Sequence, residues 1–191
     1  MTNIAVIVGS TRKGSFNRAL GELAAASLEA QGASVTRIDL AAFDLPLYSA
    51  ALEACAFPPD ALKLKALFAA QDGLLFVSPE YNGSLTPLLK NAIDWASRPT
   101  GNEGLVALSA YRGKAAAIMS ASISPFGGLR GLMHLRQILS TIQMLVIPEQ
   151  VVVPNAHAAF AEDGSLKEAL PASLVEMTAG RLIAVAKVLP A

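Results

Sequence analysis

The chain has 191 residues, 53% of them hydrophobic and 16% charged, which excludes a disordered or solvating chain and supplies a core without staples. Fifteen Lys and Arg offset fifteen Asp and Glu, so bulk charge points to neither nucleic acid nor an anionic membrane surface. One cysteine, Cys55, excludes an intramolecular disulfide or a cysteine metal site, and two histidines leave little for a histidine one.

In chain order, the apolar run Ile4 to Val8 predicts a first strand. It is too short for a secretory h-region and no basic residue precedes it, so a cytoplasmic location is expected. Leu20, Leu23, Ala24 and Leu28 form one helical stripe that Gly32 ends at the C′ position. Val35 to Leu40 predicts the second strand, Ala41 to Asp60 an irregular stretch and Ala61 to Ala70 a helix. Gly73 to Val77 predicts the third strand, and Leu85, Leu88, Leu89, Ala92, Ile93 and Ala96 the next helix, with Thr86 as N-cap and Pro87 at N1. Arg98 to Tyr111 reads as irregular, Ala115 to Met119 as the fourth strand, and Leu132, Leu135, Ile138, Leu139 and Ile142 as a helical stripe. Met144 to Val153 predicts the fifth strand, Asn155 to Pro171 is irregular and Ser173 to Leu189 is the last helix. No run reaches the about 18 uninterrupted apolar residues of a membrane helix, so no membrane partner is expected.

Apolar runs without alternation predict strands buried on both faces, as in a parallel sheet covered by helices. Strand alternating with helix five times predicts a single α/β domain over residues 1–191. Five strands favour a flavodoxin-like three-layer sandwich with a parallel sheet in the order 2-1-3-4-5 over a six-stranded dinucleotide fold. Ligands of such sheets bind beyond the carboxyl ends of the strands, so the loops after strands one, three and four matter most.

The first of these loops is Gly9-Ser10-Thr11-Arg12-Lys13-Gly14-Ser15-Phe16-Asn17. Small and hydroxylated residues at a helix start can surround an anion with N–H and O–H groups. The Walker A pattern needs lysine where Ser15 stands, and the dinucleotide fingerprint needs glycine where Thr11 stands, so ATP hydrolysis and a Rossmann NAD site lose support. A single terminal phosphate fits, with Arg12 adding charge; the alternative is a plain helix cap by Ser15 or Asn17. The second loop, Ser78-Pro79-Glu80-Tyr81-Asn82-Gly83-Ser84, combines a fixed φ at Pro79 with a permitted positive φ at Gly83. Outward amides beside an apolar wall suit a flavin ring, and a polar turn with Tyr81 covering the core is the alternative.

Together with Leu88 to Pro99 and with the stretch Gly127 to Leu139, these segments resemble the NADPH-dependent FMN reductase family, and within it the bacterial quinone, azo-dye and chromate reductases. The resemblance runs from Ile4 to about Val153; the tail beyond it is expected to add only a final helix. It implies FMN as cofactor and NADPH or NADH as cosubstrate. Ser10, Arg12, Ser15, Phe16 and Asn17 would hold the FMN phosphate, and Pro79, Glu80, Tyr81 and Asn82 the isoalloxazine and ribityl chain, largely through backbone. Ser120-Ala121-Ser122 would close the third side; Ala121 lacks a hydroxyl that relatives can carry, so Ser120 and Ser122 are both candidates. Ser124-Pro125-Phe126 departs from a more glycine-rich pattern at the substrate entrance.

Other residues carry less. His134 and His157 read as surface or interface groups, Asp39 imitates a ribose-binding acid without the glycines, Cys55 has no activating neighbour, and Trp95 reads as packing. No side-chain general acid is required and no metal site is expected. The expected function is hydride transfer from NAD(P)H through FMN to a small-molecule acceptor such as a quinone, azo compound or chromate, with ping-pong kinetics at one shared site. A flavin reductase that releases reduced FMN and a flavodoxin-like carrier remain as rivals, and the zero net charge argues against the carrier. A homodimer or homotetramer is expected from the apolar helix Leu129 to Ile142 and the family's shared flavin sites.

Overall fold

Five parallel strands alternate with helices in the computed structural model, which describes residues 1–104 and 106–189. Strands β1 (Asn3–Val8), β2 (Ser34–Asp39), β3 (Gly73–Val77), β4 (Ala115–Ala121) and β5 (Leu145–Val153) form one sheet in the order β2-β1-β3-β4-β5. This is the expected flavodoxin-like arrangement. Val8 stands opposite Asp39 on one side and Val77 on the other, and Val77 opposite Met119, so the carboxyl ends of the central strands lie at one level.

The two-residue period of the strands sorts their side chains between two cores. Ile4, Val6, Leu75, Val77, Ala117 and Met119 point to one face, where helices α1 (Phe16–Ala30) and α7 (Ala169–Ala186) bring Leu20, Ala24, Leu28, Ala179 and Leu182. Ala5, Ile7, Leu74, Phe76, Ala116 and Ile118 point to the other, against α3 (Pro59–Ala69), α4 (Pro87–Ala96) and α5 (Leu129–Thr141). Only β1, β3 and β4 are buried as the apolar runs predict. The edge strands β2 and β5 are half-exposed, and Arg37 of β2 reaches out to Glu22 and Glu29. Pro148 is tolerated in β5 because it falls at an irregularity of an edge strand, where the pairing with β4 jumps from Val146 to Gln150.

Several boundaries differ from the sequence expectation. The stretch Ala41 to Asp60 is not wholly irregular: a 3-10 turn (Leu40–Ala42) overlaps its start, helix α2 (Ala50–Cys55), capped by Ser49, lies within it, and α3 begins at Pro59 rather than Ala61. Asn155 to Pro171 contains α6 (Ala156–Ala159). α7 begins at Ala169 rather than Ser173, because Pro171 falls in its first turn, where a missing N–H costs nothing. Leu105, within the expected irregular stretch Arg98 to Tyr111, and the final residues 190–191 lie outside the described residues. α7 is long and apolar enough to cross a membrane by composition, yet it covers the sheet, burying Val175, Ala179, Leu182 and Ile183.

Candidate functional site

Three loops converge beyond the carboxyl ends of β1, β3 and β4. Residues 9–15 start where the Gly9 N–H donates to Val77 O at 2.8 Å and Gly9 O accepts from Thr86 Oγ1 at 2.8 Å. Thr86 is also the N-cap of α4, receiving the Leu89 N–H, so one hydroxyl joins the first loop to the helix after β3. Ser15 stands at the N-cap of α1 with extended backbone, but its side chain makes no cap bond. The Ser15 hydroxyl therefore does not close the helix start. Ser10 and Ser15 are nonetheless buried, and neither hydroxyl has a partner among the described residues. The N–H groups of Thr11 to Gly14, Phe16 and Asn17 have no backbone partner among them either. A cluster of donors at the positive end of a helix could receive an anion.

Arg12 is exposed, its guanidinium 6.0 Å from the Phe16 ring centre. The Phe16 ring stacks on Phe160 at 5.7 Å, so Phe16 faces the tail and offers the loop its backbone. This corrects the expectation that the tail after Val153 adds only a helix. A β-bridge between Phe160 and Leu166 folds that segment over the start of α1; an aromatic just after the last strand was the available signal. Asn17 is buried, and its amide is spent on the Ala121 backbone, donating to the carbonyl at 2.7 Å and accepting the N–H at 2.9 Å. Beside the loop, Arg18 holds the Asp39 carboxylate at 3.0 Å, and this hydrogen bond keeps the Asp39 carboxyl below its ordinary range. Asp39 is thus engaged within the chain.

In the second loop, Tyr81 and Ser84 exchange backbone hydrogen bonds across Asn82 (φ 51°) and Gly83 (φ 79°). Two successive left-handed residues make a type I′ turn, and the Asn-Gly pair is its signature. The Glu80 and Asn82 N–H groups have no partner among the described residues, and Tyr81 stays 53% exposed. The Glu80 carboxylate turns away and accepts from Arg130, at 2.8 Å through Nε, and from the Gly131 N–H at 3.1 Å. An acid at the start of α5 is favoured by the helix dipole, so Glu80 fixes the loop against α5. Sequence reasoning missed Arg130 as its counter-ion; opposite charges 50 residues apart give no local signal.

On the third side, Ser120 is fully buried and donates to Ser78 O at 2.7 Å. Ser122 is half-buried, and its Oγ accepts the Ser124 N–H at 3.2 Å. Of the pair, only Ser122 is within reach of the outside. The structure therefore brings Ser10, Arg12, Ser15 and Phe16, the backbone of Pro79 to Asn82, and Ser122 to one edge of the sheet, with Asn17 and Ser120 behind them. Trp95 is buried between Tyr48 and Phe57 with its Nε1 donating to Pro46 O at 2.7 Å, and packs as expected. His134 lies on the exposed side of α5 with Nδ1 3.0 Å from Ser84 Oγ. Among the described residues, no three His, Cys, Asp or Glu side chains gather as a metal site would require.

Residues 2–158 match the model of the NADPH-dependent FMN reductase family. The chain is similar to an NAD(P)H-dependent FMN reductase of Pseudomonas aeruginosa, 37% identical over 171 residues that cover 89% of this chain and 87% of that protein. It is also similar to a 2-hydroxy-1,4-benzoquinone reductase of a Burkholderia species, 40% identical over 78% of this chain and 77% of that protein. Among solved structures, the flavoenzyme NAD(P)H:(acceptor) oxidoreductase FerB of Paracoccus denitrificans superposes with a TM-score of 0.82 at 29% identity, covering 98% of both chains. The cluster of unpaired donors at α1 and the free amides after β3 accord with these likenesses: the chain belongs to the NADPH-dependent FMN reductase family, a family of flavodoxin-like oxidoreductases.

Proposed function

We propose that this enzyme uses bound FMN to pass two electrons from NADPH or NADH to quinones, and to azo compounds or chromate as similar acceptors, by a ping-pong mechanism. The observation that carries the proposal is the meeting of two sets of unpaired N–H donors at one sheet edge, one at the start of α1 and one after β3. The first set fits a phosphate, with the Ser10 and Ser15 hydroxyls inside and Arg12 adding charge from the rim. The second fits the carbonyl and imide edge of a flavin ring. Bound FMN supplies the hydride chemistry.

The chain's own share is binding and orientation. Glu80, anchored on Arg130, holds Pro79 to Asn82 in place, and the type I′ turn fixes which way the amides point. Tyr81, with Ile123 and Phe126 from the loop after β4, offers exposed apolar surface for a planar donor or acceptor. No side chain at the site is required to hold or deliver a proton. One shared surface for both substrates is what makes the kinetics ping-pong.

The same proposal makes the protein a cytoplasmic homodimer or homotetramer with small-molecule substrates and no nucleic-acid or membrane partner. In support, Leu129 and Met133 are exposed on α5, and a groove of ≈ 650 Å³ runs between α4 and α5, lined by Leu85, Ile93, Ile138 and Ile142. Light scattering at micromolar concentration should return a multiple of the 19.8 kDa chain mass. Steady-state NADPH oxidation with a benzoquinone should give parallel double-reciprocal lines with FMN retained through gel filtration. Intersecting lines, or turnover only with excess free FMN, would point to the flavin-releasing rival.

A further inference from the structure

The parallel ladder between β3 and β4 is regular up to Val77 opposite Met119, and the Ser78 N–H still donates to Met119 O at 3.0 Å. Advanced by two residues on each strand, the same pattern would take the Glu80 N–H to Ala121 O, and the Ala121 N–H to Ser78 O. Neither bond forms. Instead Asn17, from the first turn of α1, accepts the Ala121 N–H at 2.9 Å and donates to Ala121 O at 2.7 Å. Ser120 Oγ donates to the released Ser78 carbonyl at 2.7 Å. Every group the ladder gives up at this point is thereby satisfied except the Glu80 N–H, which has no partner among the described residues.

A buried backbone pair left open costs too much to persist, so something must take the place of the strand that turns away at Pro79. A primary amide presents one donor and one acceptor side by side, the pattern of a peptide group, and can fill that place. We propose that Asn17 is a positioning residue rather than a phosphate ligand: its side chain stands in for β3 at Ala121 and so keeps the Glu80 N–H free for the flavin ring. One Nδ2 hydrogen is left over, on a residue only 4% exposed. The proposal rests on FMN being the ligand, and it divides the first loop between two tasks. Ser10, Arg12 and Ser15 would serve the phosphate, and Asn17 the distant ring.

Riboflavin lacks the phosphate and separates the two tasks. Apo-protein with Asn17→Ala should lose affinity for FMN and for riboflavin by the same factor, about 5- to 150-fold. The visible band of the bound flavin should change shape, since its amide partner has moved. Arg12→Ala, measured alongside, should weaken FMN alone and leave the band unchanged. Hydrogen exchange at the Ala121 amide should quicken in apo Asn17→Ala, which needs no ligand to observe. If Asn17→Ala does not fold, Asn17→Asp keeps the acceptor for the Ala121 N–H, and riboflavin has no phosphate for the new charge to repel. An affinity loss confined to FMN, or no loss with either flavin, would overturn the proposal while leaving the function standing. Failure of the wild type to bind either flavin would instead sink the function itself, and the proposal with it.

Discussion

Gly128 lies so close to Ser120 that a Cβ on the glycine would stand 1.9 Å from the serine Oγ and 2.8 Å from its Cβ. Gly128 is also the N-cap of α5, with φ 92°, a conformation that L residues avoid. Both constraints meet beside the Glu80 anchor. Gly128→Ala should destabilise the protein by about 2–5 kcal/mol in denaturant unfolding, from left-handed strain and overpacking together. Ser120→Ala in that background removes the nearest atom but not the Cβ, so it should recover only part of the loss. A Gly128→Ala protein as stable as wild type would contradict this packing.

The Asn82-Gly83 turn gives a second test. Both residues have positive φ, but asparagine tolerates it and a β-branched residue does not. Asn82→Ala should cost about 1 kcal/mol in stability, and Gly83→Val more, with a matching order in FMN affinity. Thermal melts and fluorescence titration of apo-protein give both orders. A severe loss for Asn82→Ala with Gly83→Val tolerated would refute the turn.

Much of this architecture is legible in the sequence. β3 is legible to the residue, and Thr86-Pro87 marks the start of α4, because a fully buried apolar run and a cap–proline pair are local signals. The edge strand β2 is harder: Thr36 is half-buried on the face of Ile38 and Leu40, but Arg37 on the other face is exposed, so the apolar run is broken. Short α2 and α6 carry too few residues for a helical period to show. At the site, the loops and their hydroxyls were visible as sequence. The Glu80–Arg130 pair, the Phe16–Phe160 stack and the Asn17 amide on Ala121 were not, since each joins positions 50 or more apart that only the folded sheet brings together.

An acid-sensitive clamp holds the chain between α4 and β4. Lys65 of α3 is buried and donates to Arg98 O at 2.7 Å, to Thr100 Oγ1 at 3.0 Å and to the Glu103 carboxylate. Partial burial works to raise the Glu103 pKa, but hydrogen bonds from Lys65, Ser109 and the Thr100 N–H outweigh it and bring it down to about 2. A carboxyl depressed on folding contributes stability that is complete above its unfolded pKa of about 4.3 and fades as pH falls toward the folded value. Glu103→Gln should therefore destabilise by about 1–3 kcal/mol at pH 7, and the gap from wild type should close between about pH 4.5 and 2. Urea midpoints across that range check it; a gap independent of pH would remove Glu103 from the clamp.

Arg12 tests the phosphate loop. One charge-assisted contact is worth about 1.5–3 kcal/mol, so Arg12→Ala should weaken FMN about 10- to 150-fold while riboflavin binding, weak already, stays nearly unchanged. Ser15→Ala should show the same preference at about 0.5–1.5 kcal/mol. Flavin fluorescence quenching supplies every corner of the cycle. Equal losses for both flavins would move Arg12 away from the phosphate.

The central claim, hydride transfer from NAD(P)H through FMN held by these loops to a quinone, is met most directly by one anaerobic titration. Protein reconstituted with FMN is titrated with NADPH under visible absorption, then given a benzoquinone. The flavin band should bleach in full near one equivalent of NADPH, with no stable one-electron stage, and return on addition of one equivalent of quinone. A band that NADPH leaves unbleached, or a bleached flavin that the quinone does not restore, would contradict it.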